Sequence, residues 1–277
     1  MATRRRSRNP VAAVLAWAYA ALLVFPLYYV IVSSFKGTNA IQLRPFAPPT
    51  SWSAENLAEA WSDGRLGPAL LNSIWITLVA ELLVLLVALP AAYAIASSGG
   101  PFARLVERVF AAGLLIPVFA TLVPTLLLSI ALQLFQTRLF YVLFLPSTAL
   151  PLSVILLAQF FRTIPRALDE SARVDGAGRL RALVSIHIPL IGPGIATVSI
   201  LNFLAFWNEY LFALVLLGPS EDRRTVQTAL PTLVSTLSTN YGVLLAGCLI
   251  TMIPVFFLYV ALQRRVEGAL LDGSVKD

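Results

Sequence analysis

The sequence predicts an all-α integral membrane protein with six membrane-crossing helices and both termini in the cytoplasm. Three observations carry this. Hydrophobic residues make up 58% of the chain and charged residues 12%, the mean hydropathy is +0.82, and the apolar residues gather in long runs. A soluble domain needs far more polar surface. Runs of about twenty apolar residues fit a hydrocarbon core about 30 Å thick at about 1.5 Å of rise per residue. A transmembrane barrel would read as short alternating segments, and these runs do not alternate.

The spans fall in order along residues 1–277, which read as one transmembrane domain. The first, about 11–34, carries no charge. Behind "MATRRRSRN" it has the layout of a secretory signal, but it is long for one. It also continues into "PLYYVIVSSFK" without a small-residue exit site, so it reads as a retained span. The second, about 69–96, is interrupted in polarity by Glu81. The third covers about 109–130 and the fourth about 139–161. The fifth, about 190–217, contains Glu209, and the sixth covers about 243–263. Pro90, Pro117, Pro124 and Pro254 within these runs mark kinks of a kind that neighbouring helices tolerate.

Basic residues set the orientation. With the N-terminus inside, the inner segments hold Arg4, Arg5, Arg6, Arg8, Arg104, Arg108, Arg162, Arg166, Arg173, Arg179, Arg181, Arg264, Arg265 and Lys276. The outer segments hold only Lys36, Arg44, Arg65, Arg138, Arg223 and Arg224. The positive-inside rule therefore places both termini and residues 162–189 in the cytoplasm. The net charge of +6 serves topology rather than nucleic acid, because no basic helix face interleaved with aromatics accompanies it. Cys248 and His187, one of each in the chain, supply neither a disulfide nor a structural zinc site and read as packing or interface residues. The outer segments 37–68 and 218–242 are either solvated connections or docking surfaces. In the first, "SAENLAEAW" predicts a short helix after a proline-rich turn.

The loop at 162–189 concentrates charge that the rest of the chain avoids. Pro165 suits the first turn of a helix, and "PRALDESARVD" continues with good helix formers up to Gly176. In a second short helix, Leu180, Leu183, Val184 and His187 are expected on one face, with Arg179, Arg181 and Ser185 elsewhere. A solvated, topology-fixing loop explains the arginines. It does not explain the acidic residues, the glycine break or the helical pattern, all of which a docking element for a soluble partner explains.

Residues 170–193, "ESARVDGAGRLRALVSIHIPLIGP", resemble the EAA motif of binding-protein-dependent ABC importer permeases. Glu170, Ala172, Asp175, Gly176, Ala177, Ile186, Pro189, Leu190 and Pro193 match its pattern, and Ser171 stands where the pattern has alanine. "FPLYYVIVSSFK", "NSIWITLVAELLVLLVALPAAYAIA", "FLAFWNEYLFALVLL" and the C-terminal "QRRVEGALLDGSVKD" resemble the carbohydrate-importing, MalG-like branch. Ser274 and Asp277 depart from that branch's usual ending.

The resemblance implies an ABC importer permease fold in a bacterial cytoplasmic membrane. It implies as partners a second homologous permease chain, two ATPase subunits or an ATPase homodimer, an extracytoplasmic binding protein or lipoprotein, and a sugar. Glu170, Ser171, Ala172, Asp175, Gly176 and Ala177 would form the coupling helix, which passes ATPase motion to a pathway of alternating access. This chain has no G-x-x-x-x-G-K-[ST] loop, so ATP and Mg would sit on the partner ATPase. It is read as a non-catalytic subunit that binds no cofactor itself.

The pathway is read from the residues. Trp207, Asn208, Glu209 and Tyr210 offer aromatic and hydrogen-bonding groups suited to a hydroxyl-rich solute, and an ionisable group inside a span is costly and often functional. The other reading pairs Glu209 within the helix bundle or near its outer boundary. Glu81 reads as a packed polar contact to another helix. Two alternatives stay open at this point: an ABC permease for a polyamine or phosphate compound, and a secondary transporter. A membrane-embedded enzyme would want a cluster of His, Asp or Glu that this sequence does not supply.

Overall fold

The structure is a computed structural model that describes residues 10–234 and 240–274. The basic residues Arg4 to Arg8, Lys276 at the C-terminus, and residues 235–239 of the second outer segment lie outside the described residues. Among the described residues the secondary structure is helical. In chain order the helices are α1 (Pro10–Ser33), α2 (Thr38–Leu43), α3 (Glu55–Ser62), α4 (Leu66–Ser98), α5 (Pro101–Gly113), α6 (Leu122–Ala131) and α7 (Arg138–Arg162). There follow α8 (Arg166–Val174), α9 (Arg179–Ala182), α10 (Ile188–Leu190), α11 (Gly192–Trp207), α12 (Leu211–Leu217), α13 (Val226–Ala229) and α14 (Tyr241–Ser274).

Four stretches are each long and apolar enough to cross a membrane: α1, α4, α7 and Tyr241–Gln263 of α14. The third and fifth expected spans are each a bent pair of helices. At the third, α5 and the segment Val118–Ala131 meet at 89°. The break falls where Pro117, with extended backbone and no amide hydrogen to donate, starts a short 3-10 turn at Val118–Thr121. At the fifth, the segment ending at Leu190 meets α11 at 80°, and α11 itself stops at Trp207, three residues before α12. Counting each bent pair as one span gives up to six. Pro90 and Pro254, by contrast, sit inside the continuous helices α4 and α14.

Contacts divide the chain into two compact units. One comprises residues up to Gly67 together with Ala229–Ile253. In it the expected helix of the first outer segment is α3, and the segment is folded rather than loose. Lys36, 5% exposed, donates to the carbonyls of Arg44 and Pro45 at 3.1 and 3.2 Å. Asn56 donates to the carbonyls of Ser34 and Lys36 at 2.9 and 3.0 Å. Asn240 Oδ1 accepts the Gly242 amide at the start of α14. Gly242 is glycine for a steric reason: a Cβ there would sit 2.3 Å from the Lys36 carbonyl oxygen.

The other unit comprises Pro68–Thr228 and the chain from Pro254. Its centre is α7, which packs on α5, α11 and α12. Tyr141, Leu145, Val154 and Leu157 of α7 are buried with Val84 of α4, Val198 of α11 and Phe212 and Leu216 of α12. Ser153 and Asn202 exchange hydrogen bonds at 3.1 and 3.2 Å inside this core, so two polar groups satisfy each other where water is excluded. Gly194 lets α11 close on α7, since a Cβ would meet the Phe160 ring at 2.4 Å. The connection after α12 is fastened by Asn72, which donates to the carbonyls of Asp222 and Arg224, and by Ser73, which accepts the Val226 amide. Arg138 and Arg223 donate to the carbonyls of Asp222 and Gln136.

Candidate functional site

The charged loop of the sequence folds as α8, a sharp turn, α9 and a π turn at Leu183–His187. α8 is amphipathic. Glu170, Ser171, Val174, Asp175 and Gly176 are exposed, whereas Ala172 is buried and Asp169 is half-buried. Gly176 has φ +78°, the left-handed conformation that glycine adopts without a Cβ penalty. The Ala177 amide then donates back to the Ala172 carbonyl at 2.9 Å, which closes a Schellman-type cap on α8. The glycine break in the sequence is therefore the stop of one helix and the redirection into the next. Ala177 is half-buried beside this turn.

The second helix departs from the expectation of one shared face. Leu183 and His187 are buried while Leu180 and Val184 are exposed. Residues one turn apart, Leu183 and His187, point inward together, while Leu180 in the first turn of the same continuous helix faces out. Val174 and Leu180, 87% and 74% exposed, add apolar surface beside the carboxylates of Glu170 and Asp175. Sequence reasoning had not singled out that apolar surface.

Beneath α8 lies a polar cavity of about 690 Å³, lined among others by Tyr93, Gly99, Arg162, Asp169, Glu170 and His187. Arg162, the last residue of α7, holds both carboxylate oxygens of Glu107 at 2.7 and 2.9 Å. This two-pronged pair ties α5 to α7.

The second candidate stretch, Trp207 to Tyr210, fills the break between α11 and α12. Trp207 is 2% exposed and stacks on Phe203 with ring centroids 5.4 Å apart. Asn208 is exposed; its amide donates to the Leu204 carbonyl, and its oxygen accepts from Gln227 at 3.3 Å. Glu209 turns inward to the start of α12. Its Oε1 accepts the Phe212 amide at 2.8 Å, and its Oε2 accepts the Ala213 amide at 2.8 Å and the Tyr141 hydroxyl at 3.0 Å. A carboxylate at a helix N-terminus meets amide hydrogens that have no partner within the helix. Glu209 is thus a clasp joining α12 to α7. Tyr210 is 41% exposed.

The carboxylate oxygens of Glu81 are shielded from solvent, with Ser199 and Asn202 of α11 as polar neighbours. A separate cavity of about 500 Å³ opens at the bend after α5, and Thr121, Thr125, Ser147 and Thr148 contribute hydroxyls to an otherwise apolar lining. No motif marks these hydroxyls, which come from the 3-10 turn, α6 and α7, segments separated along the chain.

Residues 84–271 match the family described as binding-protein-dependent transport system inner membrane component. The diacetylchitobiose uptake system permease protein NgcG of Streptomyces coelicolor is 35% identical over 260 residues, covering 93% of this chain and 86% of its own. The arabinooligosaccharides transport system permease protein AraQ of Halalkalibacterium halodurans is 30% identical and covers 98% of this chain and 99% of its own. A chain of a bacterial ABC transporter involved in the import of the acidic polysaccharide alginate superposes with a TM-score of 0.82 at 24% identity. That match covers 95% of this chain and 98% of the other, which establishes the shared fold.

Proposed function

This chain belongs to the binding-protein-dependent transport system inner membrane components, and on that premise we propose that it is one permease subunit of an ATP-driven importer for a sugar or oligosaccharide in a bacterial inner membrane. The observation that carries the solute class is similarity along nearly the whole chain to permeases named for oligosaccharide uptake. A second homologous permease, two ATPase subunits or an ATPase homodimer, and an extracytoplasmic binding protein or lipoprotein would complete the machine. ATP and Mg would bind the ATPase, and this chain would hold neither.

In this reading both termini and α8 face the cytoplasm, as the distribution of arginine argues. The exposed edge of α8 (Glu170, Ser171, Val174 and Asp175) would enter a cleft of the ATPase. Gly176 and Ala177 would shape its end, and Ala172 would seat it on the chain's own helices. When the ATPase domains close, α8 would be displaced and the pathway would exchange outward for inward access. In the stretch 207–210, Trp207 and Glu209 are taken up inside the chain. The side chains of this stretch exposed towards a hydroxylated solute would therefore be Tyr210 and, already bonded to Leu204 and Gln227, Asn208.

The test is tagged purification from native membranes in mild detergent, with mass spectrometry of what co-purifies and crosslinking from residues 170–177. An ATPase, a second permease and a binding protein are expected, and the binding protein is then screened for oligosaccharide binding. A chain that yields no ATPase by either route would overturn the α8 reading. A binding protein selective for a polyamine or phosphate compound would overturn the solute class.

A further inference from the structure

Asp169 sits on the inner side of α8, opposite the edge just described. Its Oδ1 accepts the hydroxyl of Tyr93, near the end of α4, at 3.1 Å. The same oxygen lies 3.2 Å from Nε2 of His187 in the π turn. The other ring nitrogen, Nδ1, faces the Ala182 carbonyl oxygen at 3.1 Å. The imidazole is 2% exposed and lies against Tyr93 and Phe161, with centroids 4.8 and 6.2 Å away.

Both ring nitrogens therefore face oxygens. A carbonyl only accepts, so Nδ1 must carry a hydrogen. The contact between Nε2 and Oδ1 then closes only if one further proton lies between them, on either atom. Without it, two lone pairs oppose each other at 3.2 Å beside an almost wholly buried imidazole, which weakens the contact. The other described charged side chains lining the adjoining cavity are Arg162 and Glu170. Arg162 is held by Glu107, and Glu170 is exposed.

Along the chain, α8 is joined to α7 by three residues and to α9 by a turn containing Gly176 and Gly178. Such connections bend under load. We propose that Tyr93, Asp169 and His187 form a hydrogen-bonded latch that fixes α8 to α4 and the π turn, so that displacement of α8 moves the membrane helices instead of flexing the loop. They are positioning residues and touch neither ATPase nor solute. The proposal rests on the reading of α8 as the ATPase-facing element.

The experiment uses the assembled importer with its ATPase in lipid nanodiscs, in a Cys248→Ser background. Spin labels are placed at Ala167→Cys on α8 and Ser98→Cys at the end of α4, and the distance distribution is recorded. The expected result is one narrow distribution that Tyr93→Phe broadens and His187→Leu broadens further. A distribution that stays equally narrow in both variants overturns the latch. So does a parent distribution already as broad as theirs. Loss of the ATPase from the labelled, otherwise native complex would instead strike the docking reading, and crosslinking from α8 in the same samples reads it separately.

Discussion

Replacing Glu209 separates its two readings, a clasp inside the chain and a group in the solute pathway. The conservative change Glu209→Gln keeps shape and removes one acceptor oxygen and the charge. If the remaining oxygen takes the Oε2 place, it keeps the Ala213 amide and the Tyr141 hydroxyl, and the new NH2 faces the Phe212 amide at 2.8 Å, donor against donor. Losing one hydrogen bond to an ionised group costs about 1.5–3 kcal/mol. Losing a negative charge at the α12 N-terminus adds about 0.3–1 kcal/mol. The clasp therefore predicts a destabilisation of about 2–4 kcal/mol, most of it from the hydrogen bond. The assay is denaturant or thermal unfolding of the purified complex in detergent, beside transport in proteoliposomes. A second check is a double-mutant cycle: Tyr141→Phe should destabilise the parent but add little to Glu209→Ala, because both remove the same bond. Parent-like unfolding of Glu209→Gln would refute the clasp. Parent-like unfolding with transport lost would move Glu209 to the pathway.

Other expected outcomes are simpler to read. Gly176→Ala forces a Cβ into the left-handed region at φ +78°, and since no atom lies within 4 Å of that Cβ, the cost is backbone alone, about 1–2 kcal/mol. Gly176→Asn should recover part of it, with ATPase retention on purification as the readout. Gly242→Ala places a Cβ 2.3 Å from the Lys36 carbonyl oxygen, so it should lower the unfolding temperature of the complex markedly where Gly37→Ala, with nothing nearby, should not. Glu170→Lys reverses charge on the exposed edge of α8 and should release the ATPase while leaving unfolding of the membrane subunits near the parent value. Arg162→Ala breaks a pair whose side chains are 37% and 26% exposed. Its cost should stay within about 0–1 kcal/mol and shrink further in high salt, and a larger, salt-independent loss would contradict that estimate.

Hydropathy along the chain was enough to locate α1, α4, α7 and the apolar part of α14, each within a few residues of its expected span. That reading works because a lipid-embedded helix must satisfy its backbone internally and present apolar side chains over a fixed length, a condition met residue by residue. The end of α8 was equally legible, because only glycine adopts the φ of Gly176 cheaply, so a glycine between two helical patterns marks a turn.

The bends were only partly legible. The sequence marked Pro90, Pro117 and Pro254 alike, yet Pro90 and Pro254 leave their helices continuous while Pro117 sits at an 89° turn. The fate of single polar residues was equally hidden. Sequence alone says that Glu209 needs a partner, because an uncompensated charge in apolar surroundings is expensive, and leaves the role of Asp169 in the charged loop open. Whether the partner is a solute, another protein or the chain's own backbone depends on which faces meet. Tertiary packing brought Tyr141 to Glu209, beside two α12 amides only three and four residues along the chain, and brought Tyr93 and His187 to Asp169. The sequence by itself determined which stretches are long and apolar enough to cross a membrane and where the charge gathers. The tertiary structure decided which of those charges are spent on holding the helices together, because hydrogen bonds depend on three-dimensional neighbours that no spacing along the chain records.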